Sequence, residues 1–236
     1  MKKIFLAFCV AIAALPVKAQ APYACVDKGA VLEYAVYNEE DKLDHYQRQV
    51  IQEASSLGDG NYDLRIQHSE IEKPGQKAEG DDISVTLSEI RNNNANVSFM
   101  GTDGAISVTG SDAALTSLPN KLAVGYQLPI GDMSANIEGL ALLVTVTENE
   151  VIGRDEIKVP AGNFKCYIVK QTIQLNMMGA AVATTTKTWY SRGVGIVKSE
   201  TTMGSRLVGR LAMTTKETIL LLCRHLRVSE TNEVIH

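Results

Sequence analysis

The chain has 236 residues and a formal net charge of −4, with 45% hydrophobic and 21% charged residues. This length suits one mid-sized domain with a real core. A mildly acidic chain without a basic run argues against nucleic acid and against anionic membrane surfaces as partners.

The first 19 residues have the pattern of a secretory signal peptide. Lys2 and Lys3 precede an apolar run, Ile4 to Leu15, which is too short to span a bilayer of about 30 Å. An A-x-A-like site ends at Ala19, so cleavage is expected there, and a short uncleaved anchor is the alternative. Neither Cys9 nor Cys25 is placed as a lipoprotein signal requires. We therefore predict an exported protein, periplasmic or alternatively extracellular, with no transmembrane segment after cleavage.

Three cysteines remain after cleavage, namely Cys25, Cys166 and Cys223. Export permits a disulfide, and any two of the three could pair. Buried, unreactive thiols are the alternative, because a free cysteine packs as a small hydrophobic residue.

The first half of the mature chain alternates in short segments that are typical of β-strands. Predicted strands cover 31–37, 44–51, 61–68, 83–90, 95–100 and the surroundings of Ile106 and Val108. A single helical turn is predicted over 113–118, and an irregular crossover over 121–133.

The second half is more regular. Strands are predicted over 135–148, 151–159, 163–173, 181–190, 194–201, 206–215 and 217–223. Pro160 and Gly162 predict a three-residue hairpin loop in which Gly162 takes a positive φ. Beyond it, Phe164, Cys166 and Ile168 should share one face of a strand, with Cys166 toward the core. The domain prediction is a signal peptide at 1–19, a single β domain at 20–223 and a polar C-terminal tail at 224–236.

Known catalytic and metal-binding motifs are missing from the sequence. Its four histidines, at positions 45, 68, 225 and 236, show no metal-ligand spacing. His68 and Ser69 are adjacent, but strand neighbours point to opposite faces. The acidic pairs Glu39-Glu40 and Asp81-Asp82 are interpreted as solvated turns. We therefore predict no catalytic, metal or cofactor-binding residue, and the ligand-binding residues are unknown.

Two apolar pairs are ambiguous. Trp189-Tyr190 is interpreted as a core or edge pair, with the wall of an apolar pocket as the alternative. Met177-Met178 is interpreted as a hairpin tip, with adaptable pocket lining as the alternative.

Two motifs resemble a known family. Val159 to Tyr167 (VPAGNFKCY) and Trp189 to Lys198 (WYSRGVGIVK) are similar to the TapB-like family of exported bacterial β proteins of unknown function. That family is related to the LolA/LolB-like carriers. The resemblance is strong over 118–203 and weaker over 70–110 and at the C-terminus. It implies a mainly β fold, a curved antiparallel half-barrel sheet with little helix, and it implies no activity.

Three functions follow as hypotheses. The first is non-enzymatic binding of an apolar ligand, a lipid or acyl chain, in the curved sheet. The second is a structural or interaction module of the cell envelope that binds another envelope protein through a sheet edge or face. An enzyme is the third and least favoured, because no nucleophile and base are brought together by the sequence.

Overall fold

The computed structural model describes residues 21–58, 61–76, 81–87, 106–108, 118–119, 121–137, 140–177, 180–207 and 210–224. Within these ranges the regular structure is entirely β, and none of the residues is helical. No helix in this part of the chain is long and apolar enough to cross a membrane. The eleven strands are β1 Val31–Tyr37, β2 Leu43–Gly58, β3 Asn61–Ile71, β4 Asp81–Leu87, β5 Ile106–Val108, β6 Gly131–Ile137, β7 Leu140–Val159, β8 Gly162–Met177, β9 Ala180–Ser191, β10 Gly195–Leu207 and β11 Arg210–Arg224.

All eleven strands belong to one antiparallel sheet in the order β4-β3-β2-β1-β11-β10-β9-β8-β7-β6-β5. Every pair of neighbours is consecutive in the chain except β1 and β11, which join the two ends of the described fold. Val31 lies opposite Arg224 and Tyr37 opposite Glu217. The two halves of the meander are thereby held together by the pairing of β1 with β11.

The sheet is strongly curled. Cα atoms of β7 and β11 come within 8 Å of each other, although β8, β9 and β10 lie between them. A flat sheet would hold the two strands about 19 Å apart, at roughly 4.8 Å per strand. The predicted fold class, a curved antiparallel sheet that does not close, is therefore confirmed.

The hairpin of β7 and β8 confirms one prediction and corrects another. Val159 pairs with Gly162, so the loop is the two-residue Pro160-Ala161 rather than the predicted three residues. Gly162 is the first residue of β8 and has the predicted positive φ, at 141°. Cys166 is only 3% exposed and packs in the same buried cluster as Phe164 and Ile168, as alternation along β8 predicts.

Strand boundaries differ from the predictions where bulges and turns interrupt the pattern. The predicted strand at 135–148 is divided between β6 and β7, and β7 then runs without a break to Val159. The strands predicted at 206–215 and 217–223 are one strand, β11, preceded by the end of β10. Asp81 and Asp82 begin β4 rather than standing in a turn. The predicted strand at 95–100 and most of the predicted helical turn lie outside the described residues.

Candidate functional site: the apolar cluster around Trp189

Two buried apolar clusters lie on opposite faces of β8 and β9. Cys166 and Trp189 belong to the first cluster, whereas Val169 and Tyr190 belong to the second. Alternation along each strand explains this division, because neighbouring side chains point to opposite faces. The interpretation of Trp189 and Tyr190 as buried aromatics is confirmed, with exposures of 8% and 2%.

The first cluster joins most of the curled sheet. Its buried members come from the segment before β1 and from β1, β2, β3, β8, β9, β10 and β11, and they are Ala24, Cys25, Ala30, Leu32, Tyr34, Ile51, Leu64, Ile66, Cys166, Trp189, Val197 and Leu220. The end of β7 adds the partly buried Ile157 and Val159. The cluster is therefore an apolar centre built by strands that lie far apart in the sheet order.

Trp189 is the boundary between this cluster and a charged rim. Its ring lies 5.1 Å from Lys198 Nζ, which forms ion pairs with Glu200 at 2.9 Å and Glu217 at 2.6 Å. The Trp189 Nε1 atom is buried and has no hydrogen-bond partner among the residues that the structure describes. An unpaired buried N–H costs about 1–3 kcal/mol, so this donor is a position where an acceptor would bind favourably.

Lys198 is held in its charged form. Partial burial alone would lower the pKa of Lys198, but its hydrogen bonds to Glu200 and Glu217 outweigh this effect and raise the pKa. A lysine that acts as a nucleophile needs the opposite shift. Lys198 is therefore suited to stacking on Trp189 and to charge pairing, and unsuited to covalent catalysis.

The thiols in and beside the first cluster stay protonated and unreactive near neutral pH. Burial raises the pKa of Cys25 to about 11 and that of Cys166 to about 12, and it also raises the pKa of Cys223. No disulfide joins Cys25, Cys166 and Cys223, so each of these three side chains is a thiol. Because the thiolate is the reactive form, these cysteines are not nucleophiles near neutral pH.

A stack of aromatic and cationic side chains closes the second cluster. The Arg192 guanidinium lies 4.3 Å from the Tyr23 ring, Tyr23 meets Tyr167 edge-to-face at 5.9 Å, and Arg154 lies 4.6 Å from Tyr167. Leu118, Leu122 and Leu128 of the crossover segment, 118–130, pack in the same cluster. The second cluster is therefore a packed apolar core that the crossover segment and Tyr23 cover.

The segment before β1 crosses from the second cluster, which contains Tyr23, to the first, which contains Ala24 and Cys25. It does so beside the turn between β9 and β10. Gly193 N donates to Pro22 O at 2.8 Å, and Arg192 Nη1 donates to Ala21 O at 2.8 Å. Gly195 has a φ of 94°, and a Cβ there would lie 3.4 Å from Ala24 Cα. Gly195 is thus favoured by its backbone conformation, because a side chain is strained at this φ.

One buried ion pair was not anticipated from the sequence. Glu33 is 1% exposed and accepts from Arg48 Nη1 at 2.9 Å and from Gly75 N at 2.9 Å. Arg48 also donates to Gln76 O at 2.8 Å, so the pair anchors the segment after β3. A glutamate within the apolar run VLEYAVY was the available signal for such a pair, since buried charges are almost always partnered.

The histidines do not form a catalytic group among the described residues. His45 Nε2 lies 2.9 Å from Gln47 Nε2, and His45 Nδ1 lies 3.4 Å from Asp44. His68 faces Gln49 across the sheet whereas Ser69 faces Arg48, so the two side chains point to opposite faces. His225 and His236 lie outside the described residues.

The remaining predicted sites can be placed in part. Within the described ranges, no group of three or more His, Cys, Asp or Glu residues could hold a metal ion. Glu39 and Glu40 are exposed and lie in a turn, as predicted. Met177 ends β8 and Met178 lies outside the described residues, so neither interpretation of that pair is tested.

The comparison with protein families gives the class of this protein. The model of the DUF3108-like family matches residues 27–208, so the chain belongs to that family. Among curated proteins, none matches the chain.

Two solved structures share the fold. A candidate lipoprotein of Parabacteroides distasonis is 16% identical, with a TM-score of 0.64 over 88% of this chain and 100% of that protein. A candidate exported protein of Bacteroides fragilis with a YmcC-like fold is 14% identical, with a TM-score of 0.58 over 86% of this chain and 99% of that protein. At these identities the likeness establishes the fold alone.

Proposed function

We propose that this protein is a non-enzymatic protein of the cell envelope that binds an apolar ligand, a lipid or acyl chain, in the first cluster of its curled sheet. Export to the periplasm, cleavage after Ala19 and the relation to the TapB-like and LolA/LolB-like proteins are parts of this proposal.

The observation that carries the proposal is the unpaired Trp189 N–H at the border of an apolar cluster. The cluster offers apolar contacts, the indole offers one hydrogen-bond donor, and Lys198 provides a charged rim. Ligand sites of this kind combine a largely apolar lining with a few placed polar groups. An acyl chain whose carbonyl oxygen accepts from Trp189 Nε1 fits that combination.

The test is native mass spectrometry of the processed protein purified from its own envelope. We expect an additional mass that organic solvent releases and that lipid analysis identifies as an acyl compound. The Trp189→Phe variant should carry less of this bound compound than the wild-type protein. Tyr126→Phe, on the exposed surface, is the control and should carry as much as the wild type. A bare chain mass in every preparation, and after incubation with fatty acids, would contradict the proposal.

A second function, an interaction module, is supported by the ends of the sheet. Within the described residues, β4 and β5 are the outermost strands and each has a single strand neighbour. An open edge can accept a strand from another envelope protein. A photoreactive amino acid incorporated in β4 would form a crosslink to such a partner in cells. If no crosslinked adduct formed, this second function would be contradicted.

A further inference from the structure

The second half of β7 has an open edge. Its first half is covered by β6 and then by the crossover segment, where Gly125 N donates to Val151 O at 2.8 Å and Val151 N donates to Tyr126 O at 3.0 Å. From Ile152 to Val159, within the described part of the chain, the only strand that pairs with β7 is β8. An edge of this kind presents backbone N–H and C=O groups that can pair with another strand.

Solvent reaches both faces of this part of β7. Arg154, Asp155 and Glu156 are all exposed, although consecutive side chains of a strand point to opposite faces. Lys158 is exposed as well, whereas Ile157 is partly buried against the first cluster. The approach of β7 to β11 therefore leaves both faces of residues 154–156 accessible.

Cations predominate on one face of the β7–β8 hairpin. Arg154, Glu156 and Lys158 alternate along β7 and therefore share one face. Lys165 of β8 lies opposite Glu156 and belongs to the same face. Three cations thus accompany one carboxylate there, whereas the carboxylate of Asp155 points to the other face. The local excess is positive in a chain whose net charge is −4.

These three cations are not neutralised by their neighbours. Among the described residues, Arg154, Lys158 and Lys165 take part in no ion pair. Arg154 is also held in place, because its guanidinium lies 4.6 Å from the ring of Tyr167, which meets Tyr23 edge-to-face at 5.9 Å. A guanidinium stacked on a ring keeps its planar set of N–H donors for a carboxylate.

The charge pattern decides which partner fits this edge. A second copy paired antiparallel about Glu156 would place Glu156 opposite Glu156 and Arg154 opposite Lys158, and like charges directly opposite each other are destabilising. An anionic lipid surface would bring phosphates against the carboxylate of Glu156 between the two cations. A strand with acidic residues opposite Arg154 and Lys158, and a neutral residue between them, forms two favourable pairs and avoids this repulsion.

We infer that the edge of β7 from Ile152 to Val159 binds an extended acidic segment of a partner protein by strand addition, with carboxylates opposite Arg154 and Lys158. The backbone groups supply hydrogen bonds, and the two cations select the segment. This edge is separate from the first cluster and from β4 and β5, so the inference goes beyond the ligand site and the sheet ends proposed above.

Two peptides that differ only in charge test the inference on the processed protein. Fluorescence anisotropy follows the binding of a labelled, alternating Glu-Val octapeptide and of the matching Lys-Val octapeptide. The acidic peptide should bind about tenfold more tightly or better, since two cross-strand charge pairs change sign between the peptides. The acidic peptide with every backbone N methylated should not bind, because it cannot donate hydrogen bonds to the edge. Equal binding of the Glu-Val and Lys-Val peptides, no binding of either, or binding of the methylated peptide would overturn the inference.

A charge reversal on the edge provides the second readout. Arg154→Glu/Lys158→Glu should bind the acidic peptide about tenfold more weakly and the Lys-Val peptide more tightly than the wild type does, a gain that an unfolded protein cannot show. Lys28→Glu/Lys73→Glu makes the same change in net charge at exposed lysines outside the hairpin and should bind like the wild type.

Two further outcomes would overturn the inference. An equal loss of acidic-peptide binding in the Lys28→Glu/Lys73→Glu control would show that only the overall charge matters. Vesicles of anionic phospholipid that bind the wild type and displace the peptide, but do not bind the Arg154→Glu/Lys158→Glu variant, would assign this edge to a lipid surface. Neither result affects binding of an acyl compound in the first cluster.

Discussion

Trp189 and Tyr190 are neighbours in β9, yet their surroundings differ in the property that matters for binding. The hydroxyl of Tyr190 is hydrogen-bonded to Thr188, and its cluster is covered by the crossover segment and by Tyr23. Within the described part of the chain the Trp189 donor has no partner, and its cluster is bordered by Lys198 and two carboxylates. Among the described residues, the buried Thr184 hydroxyl on the Tyr190 side of β9 also lacks a partner, so what distinguishes the Trp189 side is an indole donor that lies beside the charged group of Lys198. We therefore assign stability to the second cluster and ligand binding to the first.

The largest effect is expected from truncation in the second cluster. Tyr190→Ala should lower the free energy of unfolding by about 3–5 kcal/mol, the range for large buried aromatic side chains. Chemical denaturation measures this change. Tyr126→Ala, at an exposed tyrosine, should stay within about 0.5 kcal/mol of the wild type. Equal losses for the two variants would show that the second cluster is not a packed core.

Gly195 lies where the N-terminal segment crosses from one cluster to the other. Gly195→Ala should cost about 1–3 kcal/mol, because a side chain is strained at a φ of 94° and meets the backbone of Ala24. Gly204→Ala is the matched control in the same strand, since the nearest atom of a neighbouring strand, Ala183 O, would be 3.9 Å from the new Cβ. A melting temperature unchanged by Gly195→Ala would refute the backbone strain assigned to this position.

Alkaline pH should lower the free energy of unfolding, in part because the buried thiol of Cys25 in the first cluster resists ionisation. Burial raises the pKa of Cys25 to about 11 from an ordinary value of 9.0, so the unfolded chain releases the thiol proton at a lower pH than the folded protein. Stability from this group is complete below about pH 9 and declines as the pH rises toward 11. Thermal melting between about pH 7 and pH 10 should show this decline, and Cys25→Ala should make it less steep, since Cys166 and Cys223 still contribute. An equal slope in both proteins would contradict the assignment.

The smallest change in stability is expected for Trp189→Phe, a variant that should affect ligand affinity more than the free energy of unfolding. Trp189→Phe removes the unpaired donor together with some volume, so its unfolding free energy should change by only about 1 kcal/mol. Affinity for a fluorescent fatty acid should fall by about two- to tenfold, the loss of one hydrogen bond. Tyr190→Phe is the control and should leave this affinity unchanged. A Trp189→Phe protein that binds as well as the wild type would show that the indole donor has no role.

The sequence predicts the strands and their faces where alternation is unbroken. The placement of Cys166 on one side of β8 and Tyr167 on the other follows from period-two patterning alone. The pattern fails at bulges: a shift between Val151 and Gly153 places Val151 in the second cluster, whereas Ile157 and Val159 pack on the first. One inserted residue reverses the alternation, and Gly153 was the local signal for it, since a glycine inside a strand often marks a bulge.

The pairing of strands that are far apart in the chain also cannot be predicted from the sequence. Nothing in the apolar run of β1 identifies β11 as its partner, because the two strands are separated by nearly the whole described chain. The same holds for the candidate site. Trp189 could be recognised as buried, but its unpaired Nε1 depends on what β8, β10 and the segment before β1 bring around it.

The most direct measurement uses the fact that Trp189 is the only tryptophan in the chain. A fatty acid brominated along its acyl chain quenches tryptophan on contact, and the unbrominated acid is the matched control. The account predicts that the brominated acid quenches Trp189 emission saturably, while the control acid does not and competes for the same site. Emission that is insensitive to the brominated acid, although the protein is folded, would contradict binding of an acyl chain in the first cluster.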